Sequence, residues 1–154
     1  MEILVVAVGI LVDRLTKIWA LDKLKKVQDI PIIKNFFDLT YVENRGAAWG
    51  IFSGKTLVLS AVTLLVLSAI IVYMIKYRPK SKLARISLSL VISGALGNLY
   101  DRVFYKYVVD LFSLHYKDIY YYPVFNVADI CVVVGTIMIA IFIVLKDDKK
   151  DGKV

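Results

Sequence analysis

The sequence contains a single cysteine and a single histidine, and each shortage removes a class of function. Cys131 is the only cysteine among 154 residues, so the chain can form no internal disulfide and no paired-cysteine metal site. His115 is the only histidine, which excludes a zinc site of the HExxH type and a histidine-rich cluster. The sequence therefore predicts no metal site, and the chemistry has to come from other side chains.

Charged residues are missing from three long apolar stretches. The runs 56–75, 86–100 and 130–145 hold no charged side chain, and 59% of the chain is hydrophobic. A soluble domain is typically about 45–50% apolar, whereas a membrane-spanning helix needs roughly 20 mostly apolar residues. So small a protein could not cover these runs in a soluble core. The chain is therefore predicted to be a mainly α-helical membrane protein.

The net charge of +7 raises the question of a nucleic-acid partner. The sequence has no recognition helix and no arginine-rich tract, and its charges lie between the apolar runs. Attraction to anionic lipid head groups accounts for the positive charge without a nucleic acid. We therefore expect membrane lipids as partners and no nucleic acid.

A further apolar run, 3–12, lies near the start of the chain. It lacks the basic segment of a signal peptide, and Asp13, Arg14 and Lys17 follow where a small-residue cleavage site would be required. We therefore predict a first membrane helix instead of a signal peptide. We expect four transmembrane spans, at about 3–21, 56–75, 86–104 and 124–145. They form a single domain, 1–154, whose charged tail 146–154 is expected to be disordered.

The orientation in the membrane is predicted from one short loop. Segment 76–85 carries five basic residues and no acid, and such loops are typically cytoplasmic. Nine basic residues in total fall on each predicted side of the membrane, so the count alone does not give the orientation. The dense, unopposed positive charge of this short loop decides it. With four spans, both termini are then predicted to be cytoplasmic.

One stretch outside the spans favours a β-strand. Residues 36–42 are rich in aromatic and β-branched side chains. The rest of 22–55 is expected to be a polar loop, and 107–122 a tyrosine-rich loop. Its tyrosines suit either an aromatic belt at the membrane surface or the lining of a substrate cleft. Pro123 then falls where the first turn of a helix tolerates proline.

Two aspartates lie among apolar residues, one near the start of this tyrosine-rich segment and one after its end. Asp110 follows Val108 and Val109, and Asp129 leads into the uncharged run 130–145. A carboxylate next to lipid is costly, so each is a candidate functional residue. Two carboxylates brought together are the minimum for acid–base catalysis by aspartates. We predict that Asp110 and Asp129 form the catalytic pair of a peptidase.

Other polar residues are predicted near the outer ends of the helices. Asp13 and Lys17 share one helix face, either as a self-neutralising pair at the membrane surface or as a pair facing a polar cavity. Asn98, Asp101 and Arg102 also share a face. They could snorkel to the interface, but Asn98 is short and lies one turn deeper, which favours a site.

The remaining polar candidates complete one cluster. Asn126 lies three residues before Asp129, and Asn44 and Asp110 lie in the outer segments beside these helices. All these polar residues are predicted on one side of the membrane, which indicates that they form one shared site. Because they sit at outward helix ends, we expect Asn98, Arg102 and Asn126 to affect rate more than folding.

A stripe of small residues runs along the third span. Ser89, Ser93 and Gly97 recur every four residues, a pattern that lets another helix pack closely.

Five short motifs resemble those of the lipoprotein signal peptidase (signal peptidase II) family. Asp13-Arg-Leu-Thr-Lys17 is similar to D-x-x-T-K, and Asn44-Arg-Gly46-Ala-Ala-Trp49 to N-x-G-A-A-F/W. The other three are Gly94-Ala-Leu-Gly-Asn98-Leu-Tyr-Asp101-Arg102, Val108-Val-Asp110 and Phe125-Asn126-Val-Ala-Asp129. The chain departs from the family at Trp49, where phenylalanine is commoner, and at Ile130, where serine is frequent.

The resemblance implies an aspartic endopeptidase of the bacterial cytoplasmic membrane, with its active site near the outer face and a small extracytoplasmic β-sheet cradle. It implies cleavage of prolipoproteins on the amino side of a cysteine that carries diacylglycerol, without a metal or organic cofactor. Cyclic-peptide inhibitors of the globomycin type are expected to bind. Besides the catalytic Asp110 and Asp129, the substrate-binding or supporting residues would be Asp13, Lys17, Asn44, Gly46, Asn98, Asp101, Arg102 and Asn126.

Other classes of membrane protein fit the sequence less well. It lacks the GxGD motif of presenilin-like proteases, and it lacks the GxSG motif and helical histidine of rhomboid-like ones. A lipid-binding or small transport protein would use the same polar cluster as a ligand or ion site. Turnover of a lipid-modified precursor separates that alternative from a peptidase.

Overall fold

The computed structural model describes residues 1–47 and 51–150. Trp49 and residues 151–154, on which two of the predictions fall, lie outside the described residues. Residues 146–150, predicted to begin a disordered tail, instead continue the last helix.

The structure is mainly helical. The long helices are α1 (Glu2–Trp19), α3 (Thr56–Tyr77), α4 (Lys82–Phe104) and α5 (Val127–Lys150). A π-helical turn, Ala20–Leu24, and the short α2, Lys25–Val27, extend α1. By length and composition, α3, α4 and residues 127–146 of α5 could each cross a membrane. The shorter α1 carries four charged residues, so composition alone does not establish it as a span.

A four-stranded antiparallel sheet in the order β1-β2-β3-β4 joins these helices. Its strands are β1 (Asp29–Ile33), β2 (Phe37–Asn44), β3 (Val108–Tyr116) and β4 (Tyr120–Tyr121). The strand predicted at 36–42 is confirmed as β2. The two predicted loops are wrong, because β1 lies in the first and β3 and β4 lie in the second.

The predicted start of the last helix is also wrong. Residues 124–126 are not helical, because Phe125 exchanges backbone hydrogen bonds with Phe112 at 3.0 and 2.8 Å. Pro123 therefore precedes an extended segment that is paired with β3. The consequence is that α5 begins beside the strand that carries Asp110.

Helix α4 lies at the centre of the helical packing, in contact with α1, α3 and α5. Ser89 and Ser93 are buried, and the Ser93 hydroxyl donates to the Val6 carbonyl of α1 at 3.3 Å. A Cβ on Gly97 would come 2.6 Å from Asp13 Oδ2 and 3.2 Å from the Ala128 Cβ. The close packing predicted along the small-residue stripe is therefore present.

An apolar cluster fastens the sheet to the end of α1. Ala20 and Leu24 of the π-helical turn pack with Tyr41 of β2 and with Val109 and Leu111 of β3. The side chains on either side of Asp110 therefore point into this cluster, since alternate residues of a strand face opposite sides of the sheet. This arrangement directs Asp110 away from the cluster.

We predict that Gly97→Leu prevents correct assembly, since the added side chain would overlap the Asp13 carboxylate and Ala128. Overpacking of this kind typically costs about 1–3 kcal/mol or more. Ala140→Leu is the matched control, because Ala140 is exposed on α5. The yield of monodisperse protein in mild detergent measures the effect. A Gly97→Leu yield equal to that of the control would contradict the packing role of the stripe.

Candidate active site

Asp110 and Asp129 line the same cavity, although they come from different elements. Asp110 lies on β3 and is 1% exposed, whereas Asp129 lies in the first turn of α5 and is partly exposed. The cavity has a volume of about 420 Å³ and includes both aspartates in its lining. The two carboxylates predicted to act as a pair thus face a common space.

A chain of two amides holds both carboxylates. The Asn126 Nδ2 group donates to Asp110 Oδ1 at 2.6 Å and lies 3.1 Å from Asn98 Oδ1. The Nδ2 group of Asn98 in turn donates to Asp129 Oδ1 at 2.7 Å. Each aspartate therefore has one oxygen fixed by an amide, and the two amides are fixed by each other.

Asn126 also starts the helix that carries Asp129. Its Oδ1 accepts from the Asp129 backbone N–H at 2.9 Å, and its own N–H donates to Asp129 Oδ2 at 3.1 Å. This is a reciprocal cap of the helix N-terminus, in which each residue satisfies an N–H of the other. The position of Asp129 is therefore set by the start of α5.

Asn44 and Gly46 bring the end of β2 to the site. The Asn44 amide donates to Asp110 Oδ2 at 2.8 Å, and its Oδ1 accepts from the Gly46 N–H at 2.9 Å. The Gly46 carbonyl in turn accepts from Arg102 Nη2 at 3.3 Å. A Cβ on Gly46 would lie 2.9 Å from the Ile51 carbonyl oxygen, so this turn needs glycine. Arg102 lines the same cavity as the two aspartates and is the cation of the site.

Lys17 lies behind the amide chain and is completely buried. Its ammonium is 2.9 Å from Asp13 Oδ2, 3.0 Å from Asp101 Oδ2 and 2.9 Å from Asn98 Oδ1. Asp13 and Asp101 are buried too, so the interpretation of Asp13 and Lys17 as a pair at the membrane surface is wrong. One buried cation joins two carboxylates and the amide that holds Asp129.

The two carboxylates around Lys17 each bind the backbone beside one aspartate of the pair. Asp13 Oδ1 accepts from the Ala128 N–H at 3.0 Å, and Asp101 Oδ2 accepts from the Val109 N–H at 3.2 Å. Ala128 precedes Asp129 and Val109 precedes Asp110. The network around Lys17 therefore fixes both backbones that carry the predicted catalytic pair.

Arg14 belongs to the same network, although it was not among the predicted site residues. Its guanidinium forms a short ion pair with Asp101 and lies 4.5 Å from the centre of the Tyr100 ring. The signal for Arg14 was its place beside Asp13 in the first motif, but a cation near a helix end is usually a surface anchor. Its buried partner on α4 was not visible from the sequence.

The expectation that Asn98 and Asn126 affect rate more than folding rested on a wrong premise. Asn98 is 8% exposed and Asn126 is fully buried, so neither lies at a free helix end. Removing either amide would leave buried polar groups without a partner, which destabilises a fold. We therefore expect substitutions of Asn98 and Asn126 to affect both folding and rate.

The pKa of the Asp110 carboxyl group lies well above its ordinary value. Burial, and then the negative charge of Asp129, raise the pKa of the Asp110 side chain from 3.8 to about 7. Hydrogen bonds from Asn44 and Asn126 act in the opposite direction and are outweighed. At neutral pH a proton is therefore readily available on Asp110.

The walls of the cavity differ on its two sides. The wall formed by the helices is apolar, with Val62 and Val66 of α3, Ala95 of α4 and Val132 of α5. A second cavity of about 540 Å³ adjoins it at Asp110 and is partly lined by polar residues, among them Glu43, Asn44, Arg45 and Ser53. Asp110 thus lies where a cavity among the helices meets one beside the sheet.

Fold and site together define a class of protein. Helices long enough to cross a membrane hold two acids beside a small sheet, one buried and one partly exposed, where a cavity among the helices meets a cavity beside the sheet. This arrangement is that of an integral membrane protein with a candidate acid–base site.

Comparisons with known proteins identify the family. The family described as Signal peptidase (SPase) II matches residues 5–145. A lipoprotein signal peptidase from Clostridium novyi (strain NT) is 62% identical over 93% of this chain and 97% of the relative. One from Clostridium tetani (strain Massachusetts / E88) is 47% identical over 100% of this chain and 99% of the relative.

Solved structures agree with this match. A bacterial membrane enzyme determined by the in meso method at 2.3 Å resolution has a TM-score of 0.85 at 32% identity, covering 97% of this chain and 90% of that chain. The chain therefore belongs to the signal peptidase II family and is a bacterial membrane peptidase.

We predict that Lys17→Met destabilises the protein by about 3–5 kcal/mol, because it removes the cation paired with the buried Asp13 and leaves the buried Asp101 with Arg14 alone. The free energy of unfolding in mild detergent measures this loss. Lys26→Met is the control, since Lys26 forms an ion pair with Asp22 at the same i,i+4 spacing, 3.2 Å apart and exposed. Equal stability of the two variants would contradict the role of Lys17 as the centre of the network.

Proposed function

We propose that this protein is an aspartic endopeptidase that removes the signal peptide from diacylglyceryl-modified prolipoproteins. The bond cleaved lies on the amino side of the lipid-modified cysteine. The observation that carries the proposal is the Asn98–Asn126 amide chain, which holds Asp110 and Asp129 in the lining of one cavity. Membership of the family supports the substrate class.

The proposed chemistry is acid–base hydrolysis by the two aspartates. Water is a poor nucleophile towards an amide, so one ionised carboxylate takes its proton as it attacks the scissile carbonyl. The protonated carboxyl polarises that carbonyl and then donates to the leaving nitrogen. The raised pKa of Asp110 supports its holding the shared proton, while the titration belongs to the pair.

The neighbouring residues are proposed to position these groups. Asn44, Asn98 and Asn126 keep the carboxylate oxygens directed into the cavity. Arg102, held by the Gly46 carbonyl, is a cation at the site where negative charge develops on the carbonyl oxygen. Asp13, Lys17 and Asp101 act from behind through the backbone. These roles need no metal or organic cofactor.

The two adjoining cavities support the choice of substrate. The apolar cavity lies between helices α3, α4 and α5, where the hydrophobic segment of a signal peptide or an acyl chain finds apolar walls. The cavity beside the sheet, with Glu43, Asn44 and Arg45 in its lining, suits the mature side of the precursor. Membrane lipids, and cyclic-peptide inhibitors of the globomycin type, are proposed to occupy the same apolar space.

For the topology we propose four spans in one domain, 1–154, with α1 as the first span. Its charged residues support this assignment, because Asp13 and Lys17 are buried against other helices and not exposed to lipid. The basic segment 76–85 supports a cytoplasmic position for the α3–α4 turn and for both termini. The aspartate pair then lies near the outer face of the bacterial cytoplasmic membrane.

We predict that Asp110→Asn and Asp129→Asn each lower the cleavage rate by about three orders of magnitude or more, because each removes a titrating proton from one catalytic unit. The measurement is the mass of a diacylglyceryl-modified precursor after incubation with purified protein. Both variants should insert into the membrane normally, because asparagine preserves the size of the side chain.

Asp118→Asn is the matched control, since Asp118 is an exposed carboxylate in the turn between β3 and β4. It should cleave at the rate of the unchanged protein. The double variant Asp110→Asn with Asp129→Asn should be little worse than either single variant. Substantial cleavage by either single variant would refute the pair.

We predict the orientation from labelling of two single cysteines, each introduced after Cys131→Ser. Lys80→Cys, in the α3–α4 turn, should resist a membrane-impermeant maleimide in intact cells. Ile119→Cys, 77% exposed in the β3–β4 turn, should be labelled. Labelling of Lys80→Cys from outside would invert the proposed topology.

A further inference from the structure

The basic segment 76–85 surrounds a cavity far from the aspartate pair along the helices. The segment includes the end of α3, the turn 78–81 and the start of α4. These parts face the first residues of α1. The cavity has a volume of about 390 Å³ and is lined by Glu2, Met74, Arg78, Pro79 and Arg85. The function proposed for the protein makes no use of this cavity.

The charges around the cavity leave an excess of positive charge. Glu2 is the one carboxylate in the lining, and it pairs with Arg85 through the guanidinium Nε. The amino group of Met1 lies 3.7 Å from the same carboxylate. Within residues 1–47 and 51–146, the two terminal NH₂ groups of Arg85 have no other ion-pair partner, and the Nε contact with Glu2 orients them.

Arg78 adds a second guanidinium, and this one differs from that of Arg85 in its lack of an acidic partner among the described residues. Among the ion pairs within residues 1–47 and 51–146, none contains the side chain of Arg78. Its backbone ends α3 in the left-handed region, with φ 42° and its N–H bonded to the Met74 carbonyl at 3.2 Å. Glycine is the usual residue at this position of a helix end, so an arginine adopts this backbone conformation at a cost.

The rest of the lining is apolar. Met74 lies in the last turns of α3, a helix long and apolar enough to span a membrane, and Pro79 follows it in the turn. The cavity therefore combines two guanidinium groups with apolar side chains at the end of a membrane span. Arginine binds phosphate oxygens in a fork-like geometry, and a phosphodiester attached to acyl chains matches both parts of the lining.

We propose that this cavity binds the headgroup phosphate of an anionic phospholipid, held by Arg78 and Arg85. Binding would connect the start of α1 with the turn between α3 and α4. The placement of the site in the inner leaflet rests on the proposed topology, but the site itself does not depend on the peptidase activity.

Native mass spectrometry of the full chain tests the site by comparing adducts of phosphatidylglycerol and phosphatidylcholine. We expect the preference for phosphatidylglycerol to fall about tenfold in Arg78→Gln, the effect of losing one charge-assisted contact. Lys80→Gln removes one charge from the same turn without lining the cavity, and should stay within about twofold. Equal losses in the two variants would overturn the proposal in favour of diffuse surface attraction.

A second arm separates a lipid from free phosphate. We expect an excess of inorganic phosphate to leave the phosphatidylglycerol adduct in place, because phosphate lacks the acyl chains that contact the apolar lining. Displacement of the lipid by inorganic phosphate would overturn the assignment to a lipid. Arg78→Gln should still cleave precursor in detergent, so failure of this site and failure of the peptidase proposal are distinguishable.

Discussion

The site depends on the ion pairs that the Lys17 ammonium forms with two buried carboxylates. A fully buried cation is costly unless carboxylates surround it, and here Asp13 and Asp101 do so at 2.9 and 3.0 Å. Each of these acids also accepts a hydrogen bond from a backbone N–H beside Asp129 or Asp110. The need to neutralise one charge inside the helix bundle thus determines where strand β3 and helix α5 meet.

The sequence allowed the membrane class, strand β2, the small-residue stripe and the family to be predicted, because each depends on local composition or spacing. Strand β3 was missed because aspartate and histidine interrupt its apolar pattern, and its pairing with β2 joins residues about 70 positions apart. The extended segment before α5 was missed for a similar reason. Its backbone is satisfied by Phe112, and proline at position 123 suits a helix start equally well.

The cluster of candidate residues could be predicted, but not the arrangement within it. Helix spacing places Asp13 with Lys17 on one face, yet it does not say whether that face meets lipid head groups or another helix. That face is buried against other helices, and its burial depends on Gly97, which lets α1 and α5 approach α4 closely. The pairing of Arg14 with Asp101 follows from the same approach and has no signature in either segment alone.

The two aspartates differ because they belong to different elements. Asp129 lies in the first turn of α5, where its Oδ2 accepts from the Asn126 backbone N–H and the positive end of the helix dipole is close. Asp110 lies on a strand between Val109 and Leu111, both buried, and burial raises the pKa of its carboxyl group. A strand beside a helix N-terminus therefore gives the two carboxyl groups different surroundings, and the proposed acid–base hydrolysis needs two acids with different roles.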